Sequence, residues 1–263
     1  MTDIRPLALI TGASSGIGLE LAKLFVDGGY DLVVAAEDPG ILAAAGDLAA
    51  SEATVLPVQV DLRTYDGVEE LYAAVTGTGR ALDAAALNAG VGQGGAFIDI
   101  DLADDLSIIE LNVISTVHLA KLVLRDMVAR DAGRVLITSS IASTMPGAFQ
   151  ATYNASKSFL QSFAEALQNE LKDSAVTITS LMPGPTDTNF FARADMEDTR
   201  VGQGKKDDPA DVAKQGFDAL MSGDDRVVAA SIKTKVQEAA NKVLPDKVKA
   251  ALHREMAEPG SGE

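Results

Sequence analysis

The chain has no cysteine, no tryptophan and only two histidines, His118 and His253. Without cysteine there are no disulfides, thiolate metal sites or cysteine nucleophiles. Two histidines are too few for a multi-histidine metal centre, so no metal site is predicted. Basic residues are also scarce, since 22 of them against 38 acidic residues give a net charge of −16. This imbalance argues against nucleic acid or an anionic membrane surface as a partner.

Long apolar runs are missing as well. No run approaches about 18 apolar residues, and the first residues lack a charged-then-apolar leader pattern. We therefore expect a cytoplasmic protein that is not bound to a membrane. The 263 residues are 47% hydrophobic, which is enough to form a sizeable core.

Short apolar runs typical of buried strands alternate with helical stretches along residues 1–231. The predicted strands are residues 6–10, 31–36, 54–60, 82–87, 134–138, 176–182 and 226–230. The predicted helices are residues 16–26, 41–50, 65–75, 102–112, 113–130, 152–172 and 209–221. This alternation predicts one α/β domain, a doubly wound Rossmann fold with a parallel sheet of about seven strands and helices on both faces.

Two segments depart from this pattern. Residues 189–207 are polar and weakly periodic, and we interpret them as a mobile substrate loop that closes over bound substrate. Residues 232–263 have the spacing of an amphipathic helical tail, which we expect to pack on its own or a partner subunit. Its last residues, 257–263, are predicted to be disordered.

A glycine-rich turn, Thr11-Gly12-Ala13-Ser14-Ser15-Gly16-Ile17-Gly18, links the first strand to the first helix. Gly12 suits the tight turn, Gly16 lets the backbone approach a pyrophosphate at the helix N-terminus, and Gly18 permits close helix–strand packing. The spacing is not the standard G-x-G-x-x-G, so a plain loop is the alternative. Its place between a buried strand and a helix favours a dinucleotide cofactor.

The end of the second strand bears on which dinucleotide is bound. Glu37 and Asp38 follow this strand, about 20 residues after the glycines, where the adenosine ribose is expected. A carboxylate accepts hydrogen bonds from both ribose hydroxyls and repels a 2′-phosphate. No basic residue is close in sequence, and residues 31–111 hold 15 acidic residues but only two basic ones. NAD is therefore predicted and NADP is less favoured, although a solvated strand end is the alternative.

Tyr153 and Lys157 lie four residues apart near the start of a predicted helix, which places both on one face. A surface helix pair is the alternative interpretation. A tyrosine ordinarily has a pKa of about 10, and a nearby cation stabilises its phenolate. Such a phenol can donate a proton to a carbonyl oxygen while hydride arrives at the carbon, or act in reverse.

These motifs, with Asn88-Ala89-Gly90, Asn112, Ser140 and Pro183-Gly184, resemble the short-chain dehydrogenase/reductase (SDR) family in order and spacing. The resemblance covers about residues 5–231. It implies an oxidoreductase that transfers hydride between a nicotinamide cofactor and a neutral, moderately hydrophobic alcohol or ketone. A non-enzymatic dinucleotide-sensing or interaction protein on this scaffold is disfavoured, because no catalytic residue of the pattern is lost.

The resemblance also implies a catalytic role for four residues. Tyr153 is the acid/base, Lys157 lowers its pKa and binds the nicotinamide ribose, and Ser140 hydrogen-bonds the substrate oxygen. Asn112 holds a water of the proton relay, or is a buried side chain that bonds helix backbone. The competing candidates for the serine role are Ser139 and Ser143.

The implied cofactor site is larger. Its residues are Gly12, Ser14, Ser15, Gly16, Ile17, Gly18, Glu37, Asp61, Leu62, Asn88, Ala89, Gly90, Tyr153, Lys157, Pro183, Gly184, Thr186 and Thr188. Asp61 meets the adenine in this scheme, or is only a helix cap. Thr188, with Thr186 as competitor, contacts the carboxamide or the pyrophosphate.

The substrate side is predicted from residues near the catalytic motif: Gln93, Ser140, Phe149, Gln150, Tyr153 and Phe190. They carry no charge, which favours a neutral substrate, and Arg193 in the loop is the one residue that could change this. The implied assembly is a homodimer on residues 113–130 and 152–171, or a homotetramer. The tail from Ile232 replaces the Gly-rich end usual at the tetramer interface and puts the tetramer in doubt.

Overall fold

The computed structural model describes residues 5–50, 52–229 and 244–262, and these form a seven-stranded parallel sheet. The strands are β1 (Leu7–Thr11), β2 (Asp31–Ala36), β3 (Val55–Gln59), β4 (Leu82–Leu87), β5 (Gly133–Thr138), β6 (Val176–Pro183) and β7 (Arg226–Ala229). Their spatial order is β3-β2-β1-β4-β5-β6-β7, with every neighbouring pair parallel. The predicted fold class is confirmed.

Helices cover both faces of this sheet. They are α1 (Gly16–Asp27), α2 (Gly40–Ala49), α3 (Tyr65–Gly77), α4 (Leu102–Ile108), α5 (Ser115–Ala129), α6 (Ala151–Glu170), α7 (Phe190–Arg193), α8 (Arg200–Gln203), α9 (Pro209–Ser222) and α10 (Asp246–Ala257). A π-helical turn, Ile109–Ile114, joins α4 to α5, so the two helices predicted there form one continuous helix. No glycine or proline interrupts residues 102–129.

The core lies in two layers, one on each face of the sheet. Neighbouring residues of β1 point to opposite faces, as the pleat requires: Leu9 packs with Leu119 of α5, and Ile10 packs with Leu21 of α1. Strands buried on both faces explain why their sequences are continuous apolar runs.

The strand order reverses between β1 and β4, because β2 and β3 extend to one side and β5 to β7 to the other. At such a switch point the loops leaving the carboxyl ends of the strands diverge and open a crevice. The loops that follow β1, β4 and β5 carry the glycine turn, Asn88 and Ser140, so the sequence motifs converge on this crevice.

Within the described part of the chain, one helix, residues 102–129, is long and apolar enough to cross a membrane. Leu119, Val123 and Met127 on this helix pack in the core, as expected of a core helix. Other large apolar side chains stay exposed, including Ile114 at 54% and Phe159 of α6 at 44%. The dimer on α5 and α6 stays a prediction.

The segment predicted to be a mobile loop contains two short helices, α7 and α8, and it contacts the C-terminal residues. The main-chain N–H groups of Gly260 and Gly262 donate to Asp198, and the Arg200 N–H donates to the Ser261 hydroxyl. The predicted disorder of residues 257–263 is therefore wrong for 257–262, because these hydrogen bonds fix a polar stretch. Of the predicted amphipathic tail, residues 232–243 lie outside the described residues, and the described part contains α10.

Candidate active site

The glycine turn leaves an open cradle at the start of α1. Gly12 and Gly16 have φ values of +67° and +56°, a region that side chains other than glycine rarely adopt. A Cβ on Gly16 would lie 2.9 Å from the Thr188 side chain, and one on Gly18 would lie 2.1 Å from the Gly12 carbonyl oxygen. The free main-chain N–H groups of a helix start favour anions, so this cradle fits the pyrophosphate of a dinucleotide.

Gly18→Ala is expected to lower the free energy of unfolding by about 1–3 kcal/mol, because the added methyl group overlaps the Gly12 carbonyl and the turn must shift. Urea unfolding measures this change. The matched control is Gly46→Ala in α2, where a Cβ would have no atom of the described residues within 4 Å. That variant should instead be more stable, by about 0.5–1 kcal/mol. Equal effects of the two substitutions would contradict the packing argument.

Asn88 ties three central strands together at the crevice. Its main-chain N–H donates to the Thr11 hydroxyl (2.9 Å), and its side-chain amide donates to the Thr11 carbonyl (3.2 Å). Its side-chain oxygen accepts from the Thr138 hydroxyl at 3.1 Å. The side chain thus fixes the ends of β1, β4 and β5 relative to one another.

Asn112 lies in the π-helical turn and is fully buried. Its amide exchanges two 2.9 Å hydrogen bonds with the main chain of Val91 and donates a third to Ser156 of α6 at 3.0 Å. The side chain therefore joins the loop after β4 to α6. The water-holding role of this residue stays a prediction.

Ser140 and Tyr153 lie close together in the crevice, where the Ser140 hydroxyl acts to lower the pKa of the phenol. The two competing serines have other partners: Ser139 donates to the Lys157 carbonyl at 3.0 Å, and Ser143 donates to the Ser140 carbonyl at 2.6 Å. Of the three, Ser140 is the one that acts on the pKa of the phenol.

The acid/base properties of Tyr153 and Lys157 follow from burial. Burial raises the pKa of Tyr153 to about 12, and the Ser140 hydroxyl offsets this only in part. Burial also lowers the pKa of Lys157 to about 8, while its Nζ donates to the Thr138 carbonyl at 2.9 Å. Nζ lies 5.8 Å from the ring centre, and the expected lowering of the Tyr153 pKa by Lys157 stays a prediction.

The pKa of Lys157 predicts a pH-dependent stability difference between the protein and Lys157→Met. Between pH 8 and 10.5 the unfolded chain keeps a proton that the folded chain has lost, so the free energy of unfolding rises with pH. Relative to Lys157→Met, the free energy of unfolding of the wild type should increase by about 3 kcal/mol across this pH range. Urea unfolding at several pH values measures this change.

The exposed Lys214 of α9 provides the matched control, because Lys214→Met should give a difference from the wild type that changes little with pH. If the stability difference between Lys157→Met and the wild type also changed little with pH, burial would not destabilise the Lys157 ammonium.

The ends of β2 and β3 hold a base that the sequence analysis missed. The Arg63 guanidinium contacts Glu37 at 2.5 Å and Asp61 at 2.8 Å. Burial acts to raise the pKa of Asp61, but the hydrogen bonds from Arg63 outweigh it and lower this pKa. Asp38 accepts a 2.6 Å hydrogen bond from Ser14 of the glycine turn. The expectation that no base lies near Glu37 is therefore wrong, because parallel pairing of β2 and β3 brings Arg63 there.

Together these residues border one cleft of about 570 Å³. Most of the predicted site residues line it, and the exceptions are Gly18, Asp61, Gln93, Asn112 and Phe149. Gln93 turns away and donates to Asp195 at 3.0 Å. Phe149 packs on an apolar cluster with Phe191. Thr186 and Thr188 both line the cleft, so the choice between them stays open.

The cleft also has lining residues that the sequence analysis did not assign to it. His253, Met256 and Ala257 come from α10, and Arg63 from the loop after β3. No local motif marks the three C-terminal residues, because they reach the cleft only through tertiary packing.

The profile of the short chain dehydrogenase family matches residues 6–198. A short chain dehydrogenase from Pseudocercospora fijiensis is 29% identical over 195 residues, which cover 73% of this chain and 63% of that protein. A short chain dehydrogenase/reductase from Burkholderia phymatum, solved in complex with NAD, has a TM-score of 0.84 at 23% identity over 97% of both chains. A short-chain dehydrogenase from Sphingobium yanoikuyae, in complex with NADPH, has a TM-score of 0.80 at 24% identity over 96% of this chain and 97% of that one.

The two solved structures share the fold, and the profile covers well over half of the residues. The protein belongs to the short chain dehydrogenase family of oxidoreductases.

Proposed function

We propose that this oxidoreductase interconverts a small alcohol and the corresponding ketone with a nicotinamide cofactor. The observation that carries the proposal is that Ser140, Tyr153 and the buried Lys157 converge on the cleft that also holds the glycine cradle. When bound, the cofactor supplies or takes up the hydride.

The residues of the chain handle the proton. Tyr153 gives a proton to the carbonyl oxygen during reduction and removes it from the hydroxyl during oxidation. Ser140 donates a hydrogen bond to the same oxygen and stabilises the charge that develops there. Lys157, whose Nζ lies 5.8 Å from the centre of the Tyr153 ring, stabilises the phenolate when the lysine is protonated.

NAD is the proposed cofactor. The Arg63 guanidinium is already paired with the carboxylates of Glu37 and Asp61, and a third carboxylate, that of Asp38, also borders the cleft. A 2′-phosphate would meet net negative charge here, whereas ribose hydroxyls can donate to Glu37. The structural relatives include one complex with NAD and one with NADPH, so the choice rests on these side chains.

The substrate is proposed to be neutral and moderately hydrophobic. Met145, Phe190, Phe191 and Met256 give its part of the cleft an apolar wall, and Gln150 adds an amide. Arg193 also borders the cleft but is exposed, so its charge is solvated.

A panel of secondary alcohols and ketones, assayed by the absorbance of NADH and NADPH, tests the function. The expected result is turnover of neutral substrates with the higher kcat/KM for NAD(H). Tight binding of the cofactor with no turnover across a broad panel would instead favour a dinucleotide-sensing protein.

A further inference from the structure

Helix α10 forms one wall of the cleft and is held firmly against the substrate loop. Ala257 is buried in an apolar cluster with Phe191 and Met196 of that loop. The residues after α10 hydrogen-bond to Asp198, as described above. These contacts hold the side chains that α10 presents to the cleft, His253 and Met256 among them.

His253 is the polar group of this wall, and its hydrogen bonding defines its tautomer. Its Nδ1 lies 2.9 Å from the carbonyl oxygen of Ala148, and a carbonyl can only accept, so Nδ1 carries the proton. Burial lowers the pKa of His253 more than this hydrogen bond raises it, which favours the neutral ring. Nε2 of a neutral ring protonated at Nδ1 is a hydrogen-bond acceptor.

Nε2 has no hydrogen-bond donor among the described residues, although His253 is only 6% exposed and borders the cleft. The neighbouring Arg254 is no donor to it, since its guanidinium lies over the Phe149 ring and pairs with Glu258. The side chains of the cleft residues Phe191 and Met256 carry no N–H or O–H group that could donate a hydrogen bond. An acceptor on the cleft wall that has no donor among the described residues is open to a donor group of a bound molecule.

We propose that His253 is a substrate-recognition residue whose Nε2 accepts a hydrogen bond from a hydroxyl group of the substrate, remote from the carbon that is oxidised or reduced. The substrate class is then a neutral hydroxyketone and the diol that corresponds to it. The inference rests on the proposed function, because it names the substrate of the same site.

The test compares ketones that differ only in the distal hydroxyl, with the full chain and NADH. The probes are 4-hydroxy-2-butanone, 6-hydroxy-2-hexanone and 8-hydroxy-2-octanone, each paired with the 2-alkanone of equal length. At one length or more, the wild type should favour the hydroxyketone about tenfold in kcat/KM, mainly through KM.

Two variants separate recognition from a structural role. His253→Asn keeps an N–H near the position of Nδ1 and removes the Nε2 acceptor, so the preference should fall to about one. His253→Gln places an amide oxygen near the position of Nε2 and gives up the bond to Ala148, next to Phe149 with its φ of +63°. That variant should keep part of the preference even if it is less stable.

Three results would overturn the inference. The first is a wild type that reduces ketones of all lengths without favouring a hydroxyl. The second is a preference that survives in His253→Asn, and the third is an equal loss of activity on both members of each pair in both variants. If no ketone or alcohol is turned over at all, the proposed function fails and the inference fails with it.

Discussion

Tyr153→Phe is expected to lower kcat for the alcohol and ketone interconversion by about a thousandfold, while the Kd for the cofactor changes little. The substitution removes only the hydroxyl close to Ser140, and acid–base groups of this kind contribute about 10²–10⁴ in rate. The ring itself should stay in place, because it packs 5.1 Å from the Phe190 ring. Steady-state kinetics and cofactor titration by fluorescence measure the two quantities.

The matched control for this variant is Tyr65→Phe. Tyr65 is 70% exposed and does not line the cleft, so the loss of its hydroxyl should leave kcat unchanged. A Tyr153→Phe variant that keeps more than about a tenth of the wild-type kcat would contradict the assigned role of the phenol.

Glu37→Gln is expected to shift the ratio of kcat/KM values for NADP and NAD at least about a hundredfold towards NADP. The substitution removes the charge that repels a 2′-phosphate and releases Arg63 from its 2.5 Å contact with Glu37. A freed guanidinium can then bind the phosphate in a charge-assisted hydrogen bond, and such bonds are worth about 1.5–3 kcal/mol. The loss of a charged acceptor for the ribose hydroxyls weakens NAD binding at the same time.

Two further variants make this prediction specific. In Glu37→Gln with Arg63→Ala, the shift towards NADP should be much smaller, because no guanidinium remains at the end of β3 and only the loss of the Glu37 charge acts. Glu70→Gln, an exposed site on α3 outside the cleft, should leave the cofactor ratio as it is in the wild type. If the wild type already prefers NADP, Arg63 must leave its contact with Glu37 and bind the 2′-phosphate without any substitution, which would contradict the proposed preference for NAD.

The elements of the sheet could be predicted from the sequence because the central strands β1, β2, β4, β5 and β6 are largely buried on both faces and read as apolar runs. The predicted bounds of β2 and β4 match the structure residue for residue. The glycine turn and the Tyr153–Lys157 pair could also be predicted from the sequence. Their spacing is local, and their chemistry depends on neighbours within one turn or helix.

Contacts between segments that are distant in sequence could not be predicted in this way. Arg63 lies 26 residues after Glu37, and only the parallel pairing of β2 with β3 brings them together. His253 is still further from Ala148, and Gln93 turned towards Asp195 rather than into the cleft. In each case several hydrogen-bond or ion-pair partners were compatible with the sequence, and tertiary packing determined which of them the side chain contacts.

The hydrogen bonds between the substrate loop and the C-terminal residues have a consequence for how the site exchanges its ligands. Movement of the loop alone would break three of them, at a cost of about 2–4 kcal/mol, and would pull Ala257 out of its apolar cluster. A displacement that carries residues 189–207 and α10 together keeps these contacts intact. We therefore predict that any opening of the site is a concerted motion of two segments that are distant in sequence, and that its rate depends on the contacts that join both of them to the central fold.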